Sequence, residues 1–284
     1  MIFMYLSIGV AAPLPPSEKC QIVDHKLQTT SYSNSIQKYQ PGWLKIKGDL
    51  VNLRSKSSTK GEILQQLPLG TDVRVGFCVK EETIGEIQGC WYPIKEVLLN
   101  GKSTSFLESS AYLFSTALTD CYLLHDIDGD NVQESIFLAI PSFGKYQVRV
   151  LDSNQKNNVL WYSTEHQAFE TDTSGGAISI QGKEITGNPL IKLELHGSEM
   201  CGSTSYEDFI YYDNKSLHLA IQTSVWSDSP MYHTTKIQWN QNKSLLFQTD
   251  ATTFESSQKF CFTGNKYEAC SKEIRKEKEG VEDF

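Results

Sequence analysis

The chain has 284 residues with 39% hydrophobic content and a formal charge of −8, a length for about two domains and enough apolar material for real cores. An acidic balance without a long basic stretch argues against nucleic acid and against an anionic membrane surface, since both call for clustered Lys and Arg. The polar residues lean to Ser, Thr, Asn and Gln, beside 13 Tyr and 13 Phe, a mixture that short alternating strands use well.

Residues 1–12 are apolar, and Gly9-Val10-Ala11 gives a cleavage point after Ala11. This matches the apolar core and exit of a secretory signal, so residues 1–11 are expected to be removed and the protein exported. The apolar run falls short of the roughly 20 residues a spanning helix needs, and no transmembrane span is expected. Ser17-Glu18-Lys19 before Cys20 lacks the apolar and small residues of a lipid-anchoring signal. Residues 12–41 mix Pro, Ser, Gln and Asn without a period and read as a linker or loosely packed arm.

From Trp43 the text becomes strand, turn, strand. In "LVNLRSK" Val51 and Leu53 share one face, Asn52 and Arg54 the other. "EILQQLPLGTDVRVGFCV" gives two strands about a Pro68-Leu69-Gly70 turn. "GCWYPIKEVLL" is a further strand, with Pro93 marking an edge or a bulge. Asn100-Gly101 is a strong short hairpin signal.

These pieces, Leu50-Val51-Asn52-Leu53-Arg54-Ser55, Ile63-Leu64, Leu67 before Leu69-Gly70-Thr71, Trp91-Tyr92-Pro93-Ile94, Gly101-Lys102 and Ser109-Ser110-Ala111-Tyr112-Leu113, resemble the bacterial SH3-like domain family in order and spacing. The resemblance covers residues 42–116. It implies a small five- or six-stranded barrel used as an attachment module, some of whose relatives bind peptidoglycan or peptides. Ser105-Phe106 stands where the family has Gly-Trp, and the stretch between Cys78 and Cys90 is longer than usual. Trp43, Trp91, Tyr92 and Tyr112 are the candidates for a ligand-contacting surface. Core packing competes with that role, most strongly for Trp91 and Tyr112, because aromatics dominate small cores.

Residues 117–270 continue as alternating strands at a cadence that predicts an all-β meander, a sandwich or an incomplete propeller. "SKEIRKEKEGVEDF", residues 271–284, is charged and of mixed sign and reads as a short helix or a frayed tail. The whole is expected to be all-β. Of seven cysteines, Cys78 with Cys90 and Cys261 with Cys270 bracket turn-rich stretches and suit hairpin disulfides. Cys121 and Cys201 remain as a pair within the second domain, leaving Cys20 odd, although connectivity is not fixed by sequence. No close C-x-x-C pair and no neighbouring His at ligand spacing supports zinc. Disulfides in turn favour export.

"HDIDGDNVQES" carries the sharpest chemistry. Asp126, Asp128 and Asp130 occupy positions 1, 3 and 5 of a calcium-type loop, Val132 offers a backbone carbonyl at position 7, and Glu134 falls at position 9. Calcium suits this set because it takes six to eight oxygens at flexible geometry. Phe137 at position 12 and strand-like flanks exclude the helix-loop-helix form. The loop resembles those of the FG-GAP and VCBS-type repeats of extracellular β-proteins, with Asn131 where Gly is usual. That resemblance implies a structural calcium ion. The alternative is a bare acidic turn, since Asp-Gly and Asp-Asn favour turns without a metal. Against it stands the repulsion of convergent carboxylates.

For function the residues point first to an exported, non-catalytic envelope or extracellular binding protein, with a cell-wall glycan, peptide or protein as ligand. An envelope hydrolase acting on glycan or peptidoglycan is a second reading. It needs separated carboxylates, or a thiol such as Cys201 with a His. A surface adhesin or inhibitor is a third.

Overall fold

The computed structural model of the protein describes residues 16–17, 19–23, 38–85, 87–107, 110–142, 145–152, 159–163, 166–167, 173–181, 189–198, 202–213, 216–228, 231–240, 243–263 and 267–278. The apolar N-terminal residues and Cys201 lie outside them. The fold is all-β: the helical element among the described residues is a single 3-10 turn, Ser115–Ala117. No helix among them is long and apolar enough to cross a membrane. Two compact units divide the chain. One contains Lys38–Lys80 and Cys90–Asp120, the other Pro16–Gln37, Glu81–Gly89 and Cys121–Phe284.

The second unit begins earlier than its sequence suggests. Within the stretch expected to be a loose arm, β1 (Lys19–Val23) is a strand. It pairs antiparallel with β16 (Thr173–Gln181), from Lys19 opposite Ser179 to Val23 opposite Gly175. The first unit is therefore an excursion of the chain between β1 and the rest of the second. Such a strand carries little local signal, because its partner lies some 150 residues away and supplies the pairing that five residues cannot supply alone.

A nine-stranded sheet holds β2 (Gly42–Ile46), β3 (Leu50–Arg54), β4 (Ile63–Pro68), β5 (Asp72–Val75), β6 (Lys80–Ile84), β7 (Ile87–Leu99), β8 (Lys102–Ser105), β9 (Tyr112–Phe114) and β10 (Leu118–Thr119). Its order is β10-β2-β5-β7-β9-β3-β4, with β6 and β8 also on β7. The expected closed barrel is not what forms: the ladder runs open from β10 to β4. The seam is thin where closure would be built, since β3 meets β9 through one residue pair, Arg54 opposite Tyr112. β7 is the spine. Trp91, Tyr92 and Pro93 pair with β9, and residues from Ile94 onward pair with β5. The register jumps between Arg74 opposite Glu96 and Val75 opposite Ile94, leaving Lys95 as the extra residue of a bulge two positions past Pro93. Leu44, Ile46, Leu53, Leu67, Val73, Ile94 and Leu113 fill the interior. Asn100 and Gly101 both take positive φ, 51° and 72°, and close the tight β7–β8 turn as expected.

In the second unit a five-stranded sheet contains β11 (Leu123–His125), β12 (Glu134–Ser142), β13 (Lys145–Asp152), β14 (Val159–Tyr162) and β15 (His166–Gln167). A ten-stranded meander runs β1-β16 and then through β17 (Leu190–Ser198), β18 (Gly202–Asp213), β19 (Ser216–Asp228), β20 (Met231–Asn240), β21 (Ser244–Ala251), β22 (Phe254–Phe262) and β23 (Tyr267–Ala269). Leu123, Ile136, Leu138, Tyr146, Val148 and Val150 of the small sheet share one buried cluster with Cys20, Ile178, Ile191, Leu193 and Ile210 of the large one. That is sandwich packing. The sheets meet closely at Gly176, where a Cβ would stand 2.8 Å from the Tyr146 ring.

The far half of the meander builds a separate core. β19 and β20 pair only from Val225 opposite Thr234 to Asp228 opposite Met231. Beyond that point the Thr235 hydroxyl takes over. It accepts from the Ser224 N–H and donates to the Ser224 carbonyl, both at 2.6 Å. Phe209 and Tyr211 point away from the sandwich core, because side chains alternate along β18. They pack with Trp239, Leu245, Phe262 and Tyr267, Phe209 meeting Trp239 edge-on at 5.1 Å. The charged tail was expected to be a short helix or frayed; its residues 274–277 form a strand instead, and residues 279–284 lie outside the described ones. β24 (Ile274–Glu277) pairs with β22, and the Lys278 ammonium donates to Asp250 and to the Ala251 carbonyl at 2.6 and 2.8 Å.

Candidate metal centre

The acidic loop is the connection of the β11–β12 hairpin, whose last pair sets His125 opposite Glu134. Its backbone is shaped by its own aspartates. Asp126 accepts from the N–H of Gly129 at 2.7 Å and of Asn131 at 3.1 Å. Asp128 accepts from the Asp130 N–H at 3.1 Å, and Asp130 from the Val132 N–H at 2.7 Å. Gly129 and Asn131 supply the two left-handed residues, at φ 85° and 69°. Asn tolerates that region better than most side chains, so Asn131 serves at the second left-handed position without a Gly. The result is convergence: one carboxylate oxygen from each of Asp126, Asp128 and Asp130 lies within 4.8 Å of the others.

Glu134 stands below this cluster, fully buried at 0% exposure. Its Oε2 accepts from the Ile127 N–H at 2.8 Å, between the first two aspartates. Its Oε1 is buried without a hydrogen-bond partner, an expensive state for a carboxylate oxygen. Burial pushes the Glu134 carboxyl from 4.5 up to about 7, with the Ile127 N–H opposing the rise and the three aspartates adding to it. Asp128 is also raised, first by burial and then by Asp130, Asp126 and Asp152, while the Asp130 N–H opposes. A divalent cation among these oxygens would remove both penalties. An all-oxygen donor set at this spacing suits a hard ion such as calcium. Val132 is half-buried in the loop, with its N–H on Asp130.

The aromatic candidates fare differently. Trp91 and Tyr92 are buried, at 2% and 0% exposure, and are removed from any contact surface. Trp91 packs on Phe114 with ring centres 5.3 Å apart, and the Tyr92 hydroxyl accepts from the Tyr39 N–H at 2.8 Å. They lie on opposite faces of β7: Tyr92 joins Cys90, Ile94 and Leu113 in the core, and Trp91 is covered on the other face, against its cross-strand neighbour Phe114. Trp43 and Tyr112 are half-buried. Leu50, Ile63, Leu64, Phe77 and Leu107 are among the apolar side chains that do face solvent; the first three belong to the pieces that carry the SH3-like resemblance, but none of the five was read as a contact residue.

Three cysteine pairs stand at disulfide distance. Cys78 with Cys90 and Cys261 with Cys270 pair as expected, with Cα atoms 5.8 and 5.7 Å apart. The expected partnership of Cys121 with Cys201 is corrected: Cys121 pairs with Cys20, Cα atoms 5.5 Å apart. The cause is β1, which carries Cys20 into the large sheet, while the Ser17 N–H donates to the Tyr122 carbonyl at 2.8 Å. A groove of about 370 Å³ on the far sheet is lined by Thr234, Lys236, Gln248, Asp250, Glu255 and Lys276. Its polar residues alternate along β20–β22, a pattern visible in sequence, but the cross-strand meeting is not. Lys278 and Tyr232 hold Asp250 below the usual carboxylate range, the reverse of what a general acid needs.

Comparison with protein-family models, with characterised proteins and with solved structures finds no match for this chain.

Proposed function

We propose that the chain is an exported, non-catalytic binding protein of the bacterial envelope or extracellular space. In this reading an SH3-like module is joined to a β domain ordered by calcium, and the ligand is a cell-wall glycan, a peptide or a protein. The observation that carries it is the convergence of Asp126, Asp128 and Asp130 above a buried Glu134 whose Oε1 has no hydrogen-bond partner. A structural ion there would bind the folded form and stabilise it by mass action. The three cysteine pairs support an oxidising compartment. The residues of the first unit that resemble the bacterial SH3-like family support the attachment role.

The test has two arms. Melting curves in calcium and in chelator are expected to separate for the wild type and to coincide for Asp126→Ala. Sedimentation with purified peptidoglycan is expected to carry the protein down. Coincident wild-type melting curves would sink the calcium arm, and protein left in the supernatant would sink the cell-wall ligand.

A further inference from the structure

In the far half of the meander Ile237, Trp239, Phe247 and Phe260 pack on one face of the sheet. Side chains alternate along a strand, so the residues between them stand on the opposite face. There the registers of β20, β21, β22 and β24 set Thr234, Asp250, Glu255 and Lys276 in one cross-strand row. The next row holds Lys236, Gln248, Ser257 and Ile274. These two rows line the groove of about 370 Å³. A second hollow of about 400 Å³ shares Glu255 and Lys276 with it and continues to Glu277 and Lys278. Each is in the size range of small-molecule sites, about 300–1,000 Å³, and together they form an elongated site. β24 supplies one wall. Lys278 holds that wall in place: its backbone N–H donates to the Thr253 carbonyl at 2.8 Å, and its ammonium donates to Asp250 and to the Ala251 carbonyl.

The lining narrows the class of ligand. β21 and β22 pair with a strand on either side, so a ligand over them meets side chains, and a peptide that adds to a sheet edge finds no edge there. Lys236 and Lys276 balance Asp250 and Glu255 among the described lining residues, which leaves no excess of cations for a polyanion. Ile274, 73% exposed, is the one apolar side chain among them, too small an anchor for an apolar protein patch. What the groove offers is hydroxyl, amide, ammonium and carboxylate groups on neighbouring strands, donors interleaved with acceptors. Sugar hydroxyls both donate and accept, and Ile274 can pack against the C–H face of a ring. We propose that the groove across β20, β21, β22 and β24 binds a neutral, hydroxyl-rich glycan chain, with Gln248 at its centre. This rests on the cell-wall ligand proposed above and names the site and the ligand class within it.

The experiment is isothermal titration of chitotetraose, a neutral tetramer of N-acetylglucosamine, into the full chain, comparing wild type, Gln248→Ala, Lys276→Ala and the remote control Glu62→Gln. One neutral hydrogen bond is worth about 2- to 12-fold in affinity. Gln248→Ala is expected to weaken the tetramer by that factor and Lys276→Ala by at least as much, with Glu62→Gln unchanged. Gln248 and Lys276 are both exposed, and if one variant does not fold the other is read in its place. Wild-type affinity in the folded groove variants overturns this inference and leaves the cell-wall reading standing. So does a wild type that sediments with peptidoglycan and takes up no tetramer. Uptake of tetra-alanine in place of the tetramer, weakened by the same substitutions, would assign the groove to peptide and overturn the glycan class. A wild type that neither takes up the tetramer nor sediments with peptidoglycan overturns both this inference and the cell-wall ligand.

Discussion

Replacing Glu134 by Gln removes one buried charge and keeps an acceptor for the Ile127 N–H. In the metal-free protein the Glu134 carboxyl sits at about 7, up from 4.5, chiefly through burial. The folded state therefore holds this proton more tightly than the unfolded state does. Its stabilising effect is complete below pH 4.5 and is lost as pH rises through about 7. Above that point the ionised carboxylate costs the fold about 3 kcal/mol. In a domain of this size each kcal/mol moves Tm by about 2–4 °C. Melting in chelator is thus expected to fall by roughly 6–12 °C between pH 5 and pH 8. Glu194 and Asp250 do not confuse the window. Burial pushes Glu194 up, but Lys19 and Lys192 outweigh it and draw it down. Lys278 and Tyr232 draw Asp250 down. Both contribute stability that is lost only at more acidic pH. Glu134→Gln should melt above the wild type at pH 8 in chelator, with a shallower fall from pH 5 to 8 to which the raised Asp128 carboxyl still contributes, and should gain little from calcium. Circular dichroism melts at three pH values, with and without calcium, read all of this. A variant that melts below the wild type at pH 8 in chelator, or a wild type with no pH dependence, would refute the reasoning.

Other substitutions probe the frame around the site. Gly176→Ala places a methyl 2.8 Å from the Tyr146 ring and should cost about 1–3 kcal/mol by urea denaturation; an unchanged midpoint would mean the sheets are not in contact there. Cys20→Ser with Cys121→Ser opens a pairing 101 residues apart and should lower stability by about 2–5 kcal/mol, with peptide mapping of the wild type recovering the Cys20–Cys121 linkage. Recovery of a Cys121–Cys201 linkage would contradict the placement of β1. Trp91→Ala should destabilise by about 3–5 kcal/mol, the cost of emptying a buried aromatic site; a near-neutral result would return Trp91 to the surface.

Much of this was legible in local pattern. Alternation marked β3 through Val51 and Leu53, Asn100-Gly101 marked the β7–β8 turn, and "HDIDGDNVQES" marked a loop between two strands. Aspartates two residues apart converge for local reasons, because each hydrogen-bonds the backbone just ahead of it. What stayed hidden depends on distant partners. β1 exists because β16 accepts it, and the pairing of Cys20 follows from that strand. Trp91 and Tyr92 read as candidates for a contact surface, but both are buried, Tyr92 in the core and Trp91 against Phe114. β24 reads as a solvated charge run because every residue in it is exposed; backbone pairing to β22 and the anchored Lys278 hold it. The full burial of Glu134 is not written in the spacing of the loop.

Calorimetric titration of calcium into the chelator-stripped wild type and Asp126→Ala addresses the central claim most directly. The account predicts one saturable site per chain, with Kd no weaker than about 10⁻⁴–10⁻³ M, the range of extracellular calcium modules. Free calcium at a hundred times Kd should then add about 2.7 kcal/mol of stability, and Asp126→Ala should show neither binding nor that gain. A wild type that takes up no calcium at millimolar concentration, with a melting curve identical in chelator, would contradict it.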